Sequence, residues 1–180
     1  MKWKEQFSNF LLLALFFSAR PYHDSPVDFR GGTLAYTAAF HKQLVEDAAG
    51  NTYSLTAVLD RPRPTLIKFW ASWCASCNHS MPNITEVQER NQRNDPVATL
   101  ISIDSDRVAW LQAVDRHQAI PGTHYRLVGA MNPELREKLQ FSEIPRYLVV
   151  DRYAILRRRL SDPREPAVLT LLQSSAGQAQ

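Results

Sequence analysis

The order of apolar runs along the 180-residue chain predicts an α/β fold with a mixed central sheet flanked by helices. Three observations predict it. Compact apolar runs of strand length recur along the chain. Segments of helical spacing lie between them, as strand–helix–strand units require. Near the N-terminal end, a turn-rich cluster separates two short runs and marks a β-hairpin extension.

Taken in order, residues 41–46 alternate in part, residues 47–51 (Asp-Ala-Ala-Gly-Asn) supply turn chemistry, and residues 52–55 resume an extended pattern. Residues 65–70 (Thr-Leu-Ile-Lys-Phe-Trp) follow Pro62 and Pro64 and read as a buried central strand. Residues 97–103 read as a second strand, 147–150 as a third, and 154–160 as a fourth, joined to the third by a short turn at 151–153. Helical patterns cover 77–90 with Pro82 inside, 108–117 and 133–139. A last helix over 167–172 has Pro166 near its start, where proline is tolerated. Together these place one folded domain at 41–173, followed by a polar tail at 174–180 that is expected to fray.

Ahead of the domain, residues 20–40 carry Pro21, Pro26, Gly31 and Gly32 and read as a linker or lead-in. Residues 1–19 open with Lys2 and Lys4 and continue into an apolar stretch over 10–17. That stretch suits a secretory signal peptide better than a membrane span, which needs about 20 apolar residues. Ala19 fits the last position before a cut, but Phe17 is bulky where a small residue is wanted, so retention as an N-terminal membrane anchor is the other expectation. A buried or amphipathic helix is the third. No cysteine follows the apolar stretch, which excludes lipid attachment there.

Composition is that of an ordinary globular domain, 44% hydrophobic and 22% charged, so disorder is not expected. The net charge of +3 is scattered rather than striped, and no basic face with interleaved aromatics suggests nucleic acid. The chain has two cysteines, Cys74 and Cys77, so no disulfide framework can staple the fold. A disulfide closing so short a loop constrains the unfolded chain weakly. If these sulfurs matter, they matter through chemistry.

Cys74-Ala75-Ser76-Cys77 falls where the strand ending at Trp70 gives way to a helix. Unpaired backbone N–H groups at a helix start stabilise a thiolate, the reactive form of cysteine. In that placement Cys74 is the exposed attacking sulfur, and Cys77, one turn further in, is the resolving one. A CxxC can also be half of a zinc site, but zinc needs two more ligands and the five histidines show no paired spacing. Haem attachment wants His directly after the second cysteine, where Asn78 stands. Copper held by Cys74, Cys77 and His79 is the non-redox alternative, since thiolate and imidazole suit that metal. The plainer reading of His79 is an exposed helix residue.

The segment Phe69-Trp70-Ala71-Ser72-Trp73-Cys74-Ala75-Ser76-Cys77 resembles the active-site segment of the thioredoxin superfamily, and most of all its bacterial extracytoplasmic branch of TlpA/ResA/DsbE-like proteins. A second match, Ile144-Pro145 ahead of the strand at 147–150, follows in the right order. The resemblance covers residues 41–173 and implies a thioredoxin-like fold and a dithiol–disulfide cycle on Cys74 and Cys77. It implies that Pro145 is cis and that its loop packs against the CxxC, and proline is the residue for which cis is affordable. It places Trp73 over the attacking sulfur, with Ala75, Ser76 and Ile144 shaping the docking surface. It also implies a disulfide-bearing protein substrate, a reductant role in the bacterial periplasm such as cytochrome c maturation, and recharging by a DsbD-type membrane donor. No metal, nucleotide or flavin cofactor is required. Some members of the branch are instead oxidants or serve methionine sulfoxide reductases. A peroxiredoxin relationship ranks last, because Ala71 stands where those proteins carry threonine.

The sequence departs from the superfamily at two points. Ala75-Ser76 lacks the proline often found between the cysteines. Lys68 stands where thioredoxin has a buried acid, and it is expected either to tune the thiolates by its charge or to pack its stem while its ammonium reaches solvent.

Overall fold

The computed structural model describes residues 33–92, 95, 97–150, 156–160 and 162–173. The expected leader at 1–19, the lead-in up to residue 32, the turn at 151–153 and the tail at 174–180 lie outside the described residues. Among the described residues, fourteen elements follow one another: α1 (Thr33–Lys42), β1 (Leu44–Glu46), β2 (Thr52–Ser54), α2 (Leu55–Leu59), β3 (Thr65–Trp70), α3 (Ala75–His79), α4 (Pro82–Asn91), β4 (Ala98–Ser102), α5 (Arg107–Arg116), β5 (Thr123–Leu127), α6 (Pro133–Lys138), β6 (Arg146–Val150), β7 (Leu156–Leu160) and α7 (Pro166–Gln173).

The seven strands form one mixed sheet in the order β2-β1-β5-β4-β3-β6-β7. β3, β4 and β5 run parallel, while β6 pairs antiparallel with β3 and β7 antiparallel with β6. β3 is buried at every position, as its unbroken apolar run requires of a strand covered on both faces. Its side chains alternate between two apolar layers. Leu66 and Trp70 join α4, α5 and α7 residues such as Ile84, Trp110 and Val168 on one face. Ile67 and Phe69 join Phe40, Leu59 and Leu135 on the other. The same alternation puts Lys68 on the face of Leu66 and Trp70.

The hairpin expected near the N-terminal end is present, with Val45 opposite Tyr53, and β1 extends the sheet by pairing with β5. Three features differ from the sequence reading. The lead-in at 20–40 is not loose throughout: α1 begins at Thr33, and Ala39 and Phe40 are fully buried. An apolar pair of that kind gains more by packing on the sheet than a solvated linker would. The helix expected over 77–90 is two helices. Pro82 lacks an N–H and its ring would crowd the carbonyl of Asn78, so α3 ends at His79 and Pro82 takes the first position of α4, where the missing donor costs nothing.

Third, the structure adds α2 and β5. Ser54 caps α2 by accepting from the Ala57 N–H at 3.2 Å, which turns the chain just after β2. β5 reads Thr-His-Tyr-Arg-Leu, and its first four residues are only half-buried, so it lacks the apolar run that marks β3 and β4. Gly122 lets it lie close to β4, since a Cβ there would fall 2.1 Å from Leu100 Cδ1.

Candidate active site

The C-terminal ends of β3 and β4 lie side by side, with Trp70 opposite Ser102. In parallel sheets this end is where loops gather functional groups. The loop leaving β3 carries Ser72, Trp73 and Cys74, and Cys74 is the N-cap of α3. Its Sγ accepts from the Cys77 N–H at 3.1 Å, the bond that would hold a thiolate in the reduced protein. Cys74 and Cys77 are joined as a disulfide, with Cα atoms 5.2 Å apart. Ser76 Oγ donates to Cys74 Sγ at 3.4 Å. The pair is asymmetric: Cys74 keeps 7% of its surface exposed, whereas Cys77 keeps none.

The sequence-predicted neighbours fall into three groups. Ile144 arrives from the loop before β6, and its carbonyl oxygen lies 3.9 Å from Cys74 Sγ. The Ile144–Pro145 peptide bond is cis. Trp73 is 68% exposed beside Cys74, and Ala75 and Ser76 are exposed on the first turn of α3. Trp70 is fully buried in the core. His79 is exposed at the end of α3, and among the described residues no three His, Cys, Asp or Glu side chains converge as a metal-ligand set, so the copper reading gains no geometry.

Lys68 answers the question its sequence position raised: its ammonium does not reach solvent. The residue is fully buried. Nζ donates to the Cys77 carbonyl at 3.0 Å, to Ser80 Oγ at 3.1 Å and to Met81 Sδ at 3.3 Å, and it stands 5.5 Å from the centre of the Tyr147 ring. Pro82 makes this possible. With the helix broken, the Met81 N–H bonds the Asn78 carbonyl at 3.2 Å, leaving the Cys77 carbonyl to accept from Lys68 and from Ser80 Oγ. Burial pushes the Lys68 ammonium down to about 7.

Several polar residues of the site carry no motif in the sequence. Asp104, buried just beyond β4, accepts from the Ser72 N–H at 2.9 Å, from Ser72 Oγ at 2.7 Å and from Ser102 Oγ. Its own carbonyl accepts from Arg126 of β5, whose guanidinium also pairs with Glu46 of the hairpin at 3.0 Å. Asn78 donates to the carbonyls of Ser72 and Cys74, and His117 at the end of α5 bonds its Oδ1 at 2.8 Å. An acid placed directly after a buried parallel strand was the one available signal, and it pointed to Asp104. Burial holds His117 below the usual histidine range, aided by the nearby charges of Arg116 and Lys68. His124 of β5 lies edge-on to Trp70 and is pushed down to about 4 by burial, with His117 adding to the shift.

A profile of the thioredoxin-like family matches residues 62–154. The chain belongs to the thioredoxin-like family. Among thioredoxin-like relatives, the thioredoxin-like protein of Haemophilus influenzae is 27% identical over 112 residues, which cover 62% of this chain and 62% of that protein. The thiol:disulfide interchange protein TxlA homolog of Synechocystis is 30% identical over 81 residues, covering 45% of this chain and 43% of that one. The chain thus spans less than two thirds of the length of these curated relatives. Two solved structures share the thioredoxin-like fold. The thiol-disulfide oxidoreductase of Bacteroides fragilis has a TM-score of 0.58 at 18% identity, covering 72% of this chain and 96% of that one. The thioredoxin domain of a Bacteroides vulgatus thiol-disulfide oxidoreductase has a TM-score of 0.55 at 19% identity, covering 66% and 83%.

Proposed function

We propose that this chain is a thiol–disulfide oxidoreductase that reduces protein disulfides in the bacterial periplasm. The observation that carries the reading is the asymmetry of the two sulfurs. One keeps 7% of its surface exposed at the N-cap of α3, and the other is fully buried one turn below it within bonding reach.

In the reduced protein the Cys74 thiolate attacks one sulfur of a substrate disulfide. A Cys74–substrate disulfide forms, and the departing substrate sulfur leaves as a thiolate and takes a proton from water. Cys77 then gives up its proton and attacks Cys74 Sγ. The second substrate sulfur leaves and is protonated, and the Cys74–Cys77 disulfide carries the two electrons' worth of oxidation. Trp73, Ile144 and Pro145 present the apolar surface on which an extended substrate segment docks. A DsbD-type membrane dithiol recharges the pair by the same exchange in reverse. Export rests on the apolar stretch at 10–17 and on the extracytoplasmic branch that the FWASWC wording resembles; among the described residues, no helix is long and apolar enough to cross a membrane.

The test is a trap and a potential. Cys77→Ser should retain substrate as a covalent adduct through Cys74, released by dithiothreitol, and failure to recover any such adduct from a periplasmic extract would count against the cycle. Equilibration with redox buffers should give a potential near that of thioredoxin, about −270 mV, as a reductant requires. A value near −120 mV, that of a strong oxidant, would reverse the direction of electron flow.

A further inference from the structure

We infer that Asn78 and His117 are positioning residues for Cys74: their hydrogen-bonded pair clamps the loop at 72–74 and so holds the attacking sulfur on the Cys77 N–H. The inference rests on the proposed cycle only in naming Cys74 as the attacking sulfur.

An asparagine amide offers two N–H donors and one carbonyl acceptor. Asn78 spends both donor functions on main-chain carbonyls ahead of it in the chain, Ser72 at 3.0 Å and Cys74 at 2.9 Å. Its Oδ1 accepts from His117 Nε2 at 2.8 Å. Turned over, the amide would set its oxygen against two carbonyl oxygens and its nitrogen against the imidazole donor. The environment therefore selects one orientation, the two carbonyls from the near side and His117 from the far side.

His117 can do so because it is itself fixed. Its backbone N–H closes α5 on the carbonyls of Ala113 and Val114 at 3.1 and 3.0 Å, and its ring stands edge-on to Trp70 with centroids 5.9 Å apart. With its Nε2 placed against an acceptor, the neutral ring carries its proton on that nitrogen. Ser72 is thus gripped from two sides, by Asp104 beyond β4 and by Asn78 from α3. The segment between them ends at Cys74, whose sulfur must sit over the Cys77 N–H for that donor to stabilise a thiolate. A loop freed on the Asn78 side keeps its fold through Asp104 but loses that register.

The experiment uses the full chain reduced with dithiothreitol. The pH dependence of iodoacetamide alkylation titrates Cys74, and equilibration with glutathione reads the stability of the disulfide. His117→Phe keeps a ring against Trp70 but removes the donor; Asn78→Ala removes the clamp itself; His117→Gln restores an amide N–H donor. We expect both His117→Phe and Asn78→Ala to raise the Cys74 pKa and to shift the glutathione equilibrium about tenfold towards the disulfide, about 30 mV for a two-electron couple. His117→Gln should stay within about twofold of wild type. Wild-type titration in both His117→Phe and Asn78→Ala, with or without a fall in melting temperature, overturns the inference, as does a Gln variant that behaves like Phe. Should His117→Phe fail to fold, Asn78→Ala and His117→Gln decide between them. Because alkylation reads Cys74 whether or not any protein is reduced, absent insulin turnover by the wild type would sink the proposed function separately.

Discussion

The two sulfurs are three residues apart, yet the protein treats their surroundings in opposite ways. On the loop side, around Ser72 and Cys74, three polar side chains (Asp104, Asn78 and His117) satisfy one another and the main chain with directed bonds. On the strand side, beneath Cys77, an ammonium is sealed with a carbonyl, a hydroxyl, a thioether and an aromatic face for company. The loop side spends polar groups on geometry. The strand side holds a charge that burial makes expensive, so its protonation is open to adjustment by what happens above it. Shape is controlled in one region and electrostatic potential in the other.

The comparison is tested hardest at Lys68. Its ordinary pKa is 10.5 and its folded value about 7, so between those values the unfolded chain holds a proton that the folded chain has released. Stability therefore rises with pH across that window, by up to about 1.4 kcal/mol per pH unit, and is lost as pH falls towards 7. Urea melts from pH 7 to 10 should show this rise in wild type and a flatter profile in Lys68→Met. The same variant is expected to raise the Cys74 pKa, and an unchanged thiolate titration would detach Lys68 from the chemistry.

The loop side should answer most strongly to mutation. Asp104→Ala strips three donors of a buried acceptor and should cost roughly 2–4 kcal/mol in chemical denaturation. A loss under 1 kcal/mol would mean that Asn78 alone holds Ser72. A smaller effect comes from His124, whose folded pKa of about 4 lies below its ordinary 6.5. Stability present above 6.5 is lost as pH falls through 4, and His124→Phe should remove that acid sensitivity in thermal melts between pH 6.5 and 4. Smallest in stability terms is Trp73→Ala. Its side chain is exposed, so melting should barely change, whereas kcat/KM for a protein disulfide should fall about tenfold. An equal loss with a small disulfide such as oxidised glutathione would point away from a docking role.

How far the sequence could be read depended on how local each signal was. β3 and β4 are buried apolar runs, and the CxxC at a strand-to-helix junction is a contiguous pattern, so the centre of the sheet and the reacting pair were both legible. β5 is held by its neighbours rather than by its own composition, since β4, β1 and Gly122 make room for half-buried polar residues. Lys68 was visible, and strand alternation even assigns its face, but its partner is a carbonyl freed by a proline 14 residues later. Asn78 and His117 lie 39 positions apart and meet only once α5 has returned along the sheet. Bonds of that kind leave no periodicity to find.

One feature of the fold has a practical side. The sheet separates two apolar layers, and only the one beneath α3, α4, α5 and α7 contains the sulfurs. The layer of Phe40, Leu59, Leu135 and Phe141 lies across β3 from them, and Ile144, whose carbonyl lies 3.9 Å from Cys74 Sγ, packs against both layers. Changes of packing there, away from Ile144, should move the melting point more than they move the sulfurs. The same changes on the other side would move both at once. The molecule therefore has a face that can drift and a face that is pinned, and a designer seeking a sturdier version would work from the first.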